Sequence, residues 1–248
     1  LAIGAATIPP LSREGTAINI RRFARKRLTL EDLVERGSAD RETIDFLAEV
    51  ASSMKVSVVF AGRPGAGKTT WLNAFSAHLP SHAQVSVVET FQELQPEVEH
   101  YQHLVVEEET EDIADAINNS VLRMRPDVLM IGEVVSAEAY PFVMALNLGI
   151  VSHTTTHAKS ARMTLARLEN LAQDRMSIQE LRPVIGEGLG LIVHLNKDYD
   201  VDRRQYVRYM NELMVVRGYE NGDYRLKVIK RRQGNGYTPL DGGMELFR

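Results

Sequence analysis

The 248-residue sequence contains no cysteine and no apolar run close to the ~20 residues that cross a bilayer. Without cysteine, disulfide bonds, thiolate-ligated metals and thiol catalysis are excluded. The formal net charge is -4 and acidic and basic residues are mixed, so no basic block marks a nucleic-acid footprint. The first ten residues, LAIGAATIPP, lack the basic start and long apolar core of a signal peptide, and we expect them to come from within a longer chain.

Strand-like and helix-like segments alternate over most of the sequence, which predicts an α/β fold with a mostly parallel sheet. Buried strands are predicted at residues 56–60, 84–89 and 128–131, and an extended, Thr-rich segment at 151–157. Helices are predicted at 41–53, 70–79, 110–123, 136–148 and 161–173, with two more beginning at the caps Thr29 and Ser177.

The pattern changes after Gly190. Residues 191–195, 205–216 and 224–230 alternate like strands, and Asn221-Gly222 is a hairpin turn signal. We therefore predict an antiparallel C-terminal extension of the sheet. Pro9, Pro10 and Gly15 in the first 28 residues predict a linker or the end of a preceding domain, with one α/β domain over residues 29–248.

The motif GRPGAGKT at residues 62–69 predicts a phosphate-binding loop, because it lies between a buried strand and a helix. Glycines let the backbone turn tightly and aim its N–H groups at phosphate oxygens, and the helix N-terminus favours anions. Lys68 is expected at the β- and γ-phosphates of ATP, and Thr69 at Mg²⁺. The predicted nucleotide contacts in the loop are Gly62, Pro64, Gly65, Ala66, Gly67, Lys68, Thr69 and Thr70.

Carboxylates at strand ends are the next candidates, because ligands bind at the carboxyl edge of a parallel sheet. Glu133 follows the strand at 128–131 and is the first choice to position or deprotonate the attacking water. Asp127 begins the same strand and is expected to be a turn acid at the opposite edge. The strand at 84–89 ends at Glu89, Glu93 lies four residues later, and either could reach Mg²⁺ through a water.

Two histidines lie in or after the Thr-rich strand at 151–157. His157 follows three threonines at the strand end, where it could contact the γ-phosphate, although a single histidine is more often structural. His153 lies within the strand and is expected to be structural.

Several segments together resemble the secretion-superfamily ATPases, and most closely the branch that powers Tad-type pilus assembly. The family's linker and first helices match INIRRFARKRLTLEDLVERG, and its Walker A region matches VVFAGRPGAGKTTWLNAFSAHLP. Its Asp box matches VVETFQEL, its Walker B region matches SVLRMRPDVLMIGEV, and its His box matches TTTHAKSARMTLARLENL. The resemblance covers about residues 18 to 200.

The resemblance implies a RecA-like motor domain that works in a hexameric ring, with ATP and Mg²⁺ as ligands. It assigns Glu93 as a catalytic or Mg²⁺-water acid, Glu133 as the Walker B glutamate and His157 as the His-box histidine. It also implies that Arg21 and Arg22 reach the nucleotide phosphates. Arg123 and Arg125 match arginines for which a subunit-interface role is plausible.

The same resemblance implies a cytoplasmic location at the inner membrane, reached through platform proteins of a pilus or secretion machine and without direct nucleic-acid binding. A conjugation or type IV secretion ATPase is the second motor hypothesis. The family's usual aspartate and arginine are replaced by Thr90 and Val135, which raises a third hypothesis, a nucleotide-dependent scaffold that does not hydrolyse ATP. A DNA translocase on a RecA-like core is the fourth, and the acidic composition disfavours it.

Overall fold

The computed structural model describes residues 2–21, 27–106 and 112–247, with the backbone alone at residues 2–6 and 19–21. Arg22 and Thr110 therefore lie outside the described residues. Within these ranges, no helix is both long and apolar enough to cross a bilayer.

The strands of the described residues form two sheets. The smaller sheet pairs β1 (Ala2–Thr7) with β2 (Ala17–Arg21), antiparallel. The larger sheet contains nine strands in that part of the chain: β3 (Val58–Gly62), β4 (Gln84–Glu89), β5 (His100–Val105), β6 (Val128–Ile131), β7 (Val151–Thr156), β8 (Leu191–Asp200), β9 (Gln205–Glu220), β10 (Asp223–Gln233) and β11 (Gly236–Tyr237).

The larger sheet has the strand order β11-β10-β9-β8-β3-β7-β6-β4-β5. Strands from β8 to β5 in this order run parallel, and β9, β10 and β11 continue the sheet through antiparallel pairs. This confirms the predicted mostly parallel sheet with an antiparallel C-terminal extension. The turn between β9 and β10 is at Asn221-Gly222, where both residues have positive φ.

Helices cover both faces of the sheet, which explains why the central strands are continuously apolar. The helices are α1 (Leu30–Glu35), α2 (Arg41–Ser53), α3 (Lys68–Ser76), α4 (Ile113–Asn119), α5 (Ala139–Asn147), α6 (Ala161–Ala172) and α7 (Ile178–Gly188). Side chains of β3 alternate between two cores. Val58 and Phe60 pack with α1, α2 and α3, whereas Val59 and Ala61 pack with α5, α6 and α7.

Local signals placed several helix starts correctly. Thr29 caps α1 in a reciprocal capping box with Asp32, and Ser177 caps α7 in the same way with Glu180. The predicted helix at 110–123 is wrong in detail. Asp112 caps α4, and the following turn, Ser120–Met124, is π-helical and ends at Arg125 with φ of 50°.

Other boundaries differ where tertiary structure decides them. Helix α3 begins at Lys68, inside the phosphate-loop motif, and α5 begins at Ala139 rather than at residue 136. Strands β1 and β5 were not predicted. β5 pairs in parallel with β4 at one edge of the sheet, and its side chains are mostly exposed, so it lacks the apolar run that marks the central strands.

Candidate functional site

The phosphate loop connects β3 to α3 at the carboxyl edge of the sheet. Gly67 has φ of 94° at the N-cap of α3, a conformation that a side chain would strain. A Cβ at Gly62 would lie 2.5 Å from the carbonyl oxygen of Leu195 on β8. Both glycines are therefore required by the backbone path, and the loop has the conformational freedom that phosphate binding needs.

A cavity of about 1130 Å³ lies over this loop. Its walls come from the loop itself, the turn after β4, the residues that follow β6 and β7, the turn after α1, and the β8–β9 hairpin. The volume is slightly above the usual range for small-molecule sites, and it can contain a nucleoside triphosphate. Thr69 and Thr70, the residues for which the sequence predicts metal and phosphate contacts, both line it.

Lys68, Glu133 and His157 come together at one end of the cavity. The Lys68 ammonium lies 3.3 Å from Glu133 Oε1 and 3.1 Å from His157 Nδ1. His157 Nε2 lies 3.1 Å from the same Glu133 oxygen. The side chain of Lys68 is buried, whereas Glu133 and His157 are each 36% exposed. The structure thus joins three residues that are 24 or more positions apart in the sequence.

Two groups lie near His157 Nδ1: the Lys68 ammonium at 3.1 Å, which can only donate, and the Gly62 carbonyl oxygen at 3.3 Å, which can only accept. With the shorter of the two contacts made, His157 Nδ1 accepts from Lys68. The ring proton is then on Nε2, which donates to Glu133 Oε1. Glu133 therefore receives two donors on one carboxylate oxygen, and its orientation towards the phosphate loop is fixed.

Glu89 is the last residue of β4 and Glu93 lies in the turn that follows, and their side chains have different surroundings. Glu89 is 4% exposed, and its carboxylate accepts hydrogen bonds from the backbone N–H groups of Glu93 at 2.9 Å and of Leu94 at 3.1 Å. His103 Nε2 on β5 lies 2.7 Å from Glu89 Oε1. Burial raises the pKa of Glu89, against the lowering effect of these bonds. Glu89 therefore organises the turn that carries Glu93, and both glutamates line the cavity.

A second contact holds this turn against the phosphate-loop helix. Asn73 of α3 donates from Nδ2 to the Glu93 carbonyl at 2.8 Å and accepts at Oδ1 from the Gln95 backbone at 3.0 Å. Asn73 lies one turn after Thr69 and Thr70 on the same helix. The backbone of Glu93 is thus fixed relative to the residues that the sequence assigns to Mg²⁺.

The remaining predicted residues lie elsewhere or are not described. Arg21 ends β2 with its backbone alone described, and Arg22 is among the residues left undescribed. Arg123 and Arg125 are exposed on and after the π-helical turn and do not line the cavity. Asp127 Oδ2 accepts from the Gln84 backbone at 2.9 Å, which confirms it as a turn acid at the opposite edge.

Sequence reasoning missed the contribution of the β8–β9 hairpin. Arg208 Nε donates to the carbonyl of Gly65 in the phosphate loop at 2.7 Å, and Arg203 and Tyr206 line the cavity. It also missed His103, whose strand was not predicted. The alternation of residues 205–216 predicted a strand, and no local signal marks which of its side chains reach a loop so distant in sequence.

Fold and site together define a phosphate-loop nucleotide-binding domain. A family model described as type II/IV secretion system protein matches residues 1–198, and the chain belongs to that family. It is 31% identical over 229 residues to the conjugal transfer protein TrbB of Rhizobium radiobacter, covering 88% of this chain and 65% of TrbB. The chain thus spans slightly under two thirds of that relative.

Solved structures share the fold. The VirB11 ATPase from the Brucella suis type IV secretion system, solved with sulphate, superposes with a TM-score of 0.60 at 22% identity, over 80% of this chain and 66% of VirB11. The pilus retraction motor PilT with bound ADP gives a TM-score of 0.56 at 17% identity, over 82% of this chain and 57% of PilT. The predicted α/β fold is confirmed by these likenesses.

Proposed function

We propose that the chain is an ATP hydrolase and the motor part of a secretion machine. The observation that carries the proposal is the convergence of Lys68, Glu133 and His157 beside the phosphate loop in one large cavity. A loop alone accounts for nucleotide binding. A carboxylate held within hydrogen-bond reach of the phosphate-binding lysine adds a group that can orient water against the γ-phosphate.

Each residue has a distinct role in this proposal. The loop N–H groups and Lys68 hold the phosphates, and Glu133 orients or deprotonates the attacking water. The Nε2–H of His157, 3.1 Å from Glu133 Oε1, keeps the Glu133 carboxylate in place. When bound, Mg²⁺ neutralises charge on the phosphates. Thr69 would hold it directly, and Glu93 would hold it through water.

The donor set fits such a nucleotide-borne metal. The described residues contain no group of three His, Asp or Glu side chains placed to bind a metal by themselves. Mg²⁺ is commonly bound by one or two protein oxygens together with substrate phosphates, so a dedicated cage is not needed. The hydroxyl of Thr69 at the first turn of α3 is the protein oxygen in the correct place.

Family membership supports a ring-shaped motor. We propose a homo-hexamer in the cytoplasm that acts on inner-membrane platform proteins, with Arg123 and Arg125 at the contact between neighbouring subunits. Both arginines are exposed and next to the exposed apolar Leu122, as an interface position requires. Arg21 and Arg22 would reach the phosphates from the N-terminal segment.

Two kinds of secretion machine are candidates for the assembly that this motor drives. The sequence motifs resemble the Tad-type pilus branch, whereas a relative that matches 88% of the chain is a conjugal transfer protein. We propose secretion or conjugation as the broader role, with Tad-type pilus assembly as the specific hypothesis from the motifs. Neighbouring genes separate the two: a pilin and a prepilin peptidase indicate a pilus, whereas a coupling protein and a relaxase indicate conjugation.

Phosphate release and nucleotide binding test the enzymatic proposal. We expect Lys68→Ala to lose nucleotide binding, and Glu133→Gln to bind ATP with kcat reduced by about 100-fold or more. Glu99→Gln, an exposed glutamate that does not line the cavity, is the control and should resemble the wild type. Background turnover by a wild-type chain that binds ATP would replace the motor with a nucleotide-dependent scaffold, and normal turnover by Glu133→Gln would remove Glu133 as the base.

A further inference from the structure

The β8–β9 hairpin extends past the end of β3, alongside the phosphate loop. β3 ends at Gly62, which is opposite Leu195, whereas β8 continues to Asp200 and β9 returns from Gln205. The additional length of the hairpin carries cavity-lining residues that no part of the proposed hydrolysis uses.

One face of this extension points at the phosphate loop. Lys197 pairs across the strands with Arg208, and Tyr199 pairs with Tyr206, so the four side chains share a face. Arg208 Nε binds the Gly65 carbonyl at 2.7 Å. The Lys197 ammonium lies 3.3 Å from the point that a Cβ on Gly65 would occupy, and 4.0 Å from the centre of the Tyr206 ring. Lys197 is therefore between the loop and the ring.

Sheet topology determines which end of a nucleotide lies near this face. Glu133 follows β6 and His157 follows β7, on one side of β3. The hairpin belongs to β8 and β9, on the other side of β3. A triphosphate with its γ-phosphate at Glu133 extends along the loop, so its nucleoside end is directed away from β6 and β7.

We propose that the hairpin face formed by Lys197, Tyr206 and Arg208 is the nucleoside end of the ATP site. The Tyr206 ring packs against the base, and Lys197 contacts the α-phosphate. Arg208 holds the loop from outside through the Gly65 carbonyl. This inference rests on the proposed nucleotide binding, and it names the part of the site that recognises the nucleoside rather than the phosphates.

Tyr206 is the suitable aromatic group on this side. Its side chain is 57% exposed although Lys197 covers part of one ring face, so ring surface remains for a base. Trp71 also lines the cavity but is 2% exposed and packed in the core. Phe91 is 54% exposed and lines the cavity from the turn after β4, on the side of the predicted γ-phosphate. Phe91 is therefore a matched aromatic control.

Binding of two probes to the full chain tests the proposal. Dissociation constants are measured by calorimetry for Mg²⁺-ATP and for Mg²⁺ with inorganic tripolyphosphate, which has the phosphates without the nucleoside. We expect Tyr206→Ala to weaken ATP binding about tenfold and to leave tripolyphosphate binding unchanged, because base stacking is lost. Tyr206→Phe should retain wild-type affinity for both probes, and Phe91→Ala should also do so.

Three results would overturn the proposal: unchanged ATP affinity in Tyr206→Ala, equal weakening of both probes, or a loss that follows Phe91→Ala instead. Circular dichroism and thermal unfolding of each variant identify any change in fold. If Tyr206→Ala is unstable, Tyr206→Leu, which keeps apolar volume but has no ring, takes its place with the same expected loss. Failure of the hydrolysis proposal looks different. A wild-type chain that binds ATP through Tyr206 without releasing phosphate would retain this subsite and lose the enzymatic role.

Discussion

The two sides of the phosphate loop are built differently. On the β6–β7 side, ionisable side chains from the ends of parallel strands converge on Lys68 within 3.3 Å. On the β8–β9 side, an antiparallel hairpin lies against the outside of the loop, and its Arg208 side chain donates a hydrogen bond to the Gly65 carbonyl. The first side holds groups that can change protonation or orient water, whereas the second holds the loop in shape.

This difference suggests a division of labour. A substitution on the β6–β7 side should act on turnover, because its groups are near the phosphate that is attacked. A substitution on the β8–β9 side should act on affinity, because it changes how well the loop and nucleoside are held. Four experiments test this division. Each measures kcat separately from the Kd for ATP or from the stability of the fold.

The largest effect is expected at His157. His157→Ala removes the donor that holds the Glu133 carboxylate, so we expect kcat to fall about 100-fold while the Kd for ATP stays close to wild type. Single-turnover phosphate release and equilibrium binding measure the two quantities. His82→Ala, at an exposed histidine, is the control. A large rise in Kd with unchanged kcat would place His157 among the binding groups and contradict the division.

His153, which lies within β7 four residues before His157, should affect stability and not chemistry. It is 1% exposed, and its ring packs edge-on against Phe75. Among the described residues, neither of its ring nitrogens has a hydrogen-bond partner. Burial lowers its pKa from 6.5 to about 3. The folded chain therefore keeps His153 neutral, while the unfolded chain binds a proton below pH 6.5, so this contribution to stability is lost as the pH falls from 6.5 towards 3.

Between pH 8 and pH 5 we expect the free energy of unfolding to fall by about 2 kcal/mol more in the wild type than in His153→Leu. Denaturant titrations at the two pH values measure it. The difference between the chains is the relevant quantity, because burial raises the pKa of Glu89 and lowers that of His194 in both of them. Equal pH dependence, or a lower kcat for His153→Leu at pH 8, would contradict a purely structural role.

The sequence predicted the β6–β7 side far better than the β8–β9 side, and the reason is physical. Glu133 and His157 follow parallel strands whose carboxyl ends meet at one edge, so recognising the two strands was enough to bring these residues together. The hairpin contacts depend on how far β8 and β9 extend past β3 and on which face they present to the loop. Neither property is encoded in a local pattern.

The two glutamates after β4 show the limit within the predictable side. Spacing left Glu89 and Glu93 equal as Mg²⁺ candidates, because Glu89 ends the strand and Glu93 lies four residues later. What separates them is the unpredicted edge strand β5, whose His103 binds Glu89, and the turn whose backbone N–H groups donate to the Glu89 carboxylate. Both residues line the cavity, but Glu89 is 4% exposed and its carboxylate is engaged by these donors, so Glu89 acts as a support.

This support predicts an effect of intermediate size. Glu89→Gln leaves one side-chain oxygen to accept hydrogen bonds. It also places an amide NH₂ group, itself a donor, opposite His103 or a backbone N–H, so a hydrogen bond is lost and the turn that carries Glu93 shifts. We expect kcat to fall about tenfold with little change in ATP affinity. Glu97→Gln, whose side chain is 63% exposed, is the control. If kcat remains unchanged while thermal stability falls, Glu89 supports only the fold and Glu93 does not depend on it.

The smallest effect is expected on the hairpin side, at Arg208. Arg208→Met removes the bond to the Gly65 carbonyl, which is exposed to solvent, so we expect the Kd for Mg²⁺-ATP to rise about fivefold. Because Arg208 acts on the loop, tripolyphosphate binding should weaken by the same factor, unlike the nucleoside-specific loss at Tyr206. Arg204→Met, in the exposed hairpin turn, should leave both constants unchanged. A fall in kcat at unchanged affinity would show that the hairpin acts on the reaction itself, and the two sides of the loop would then not be separable by function.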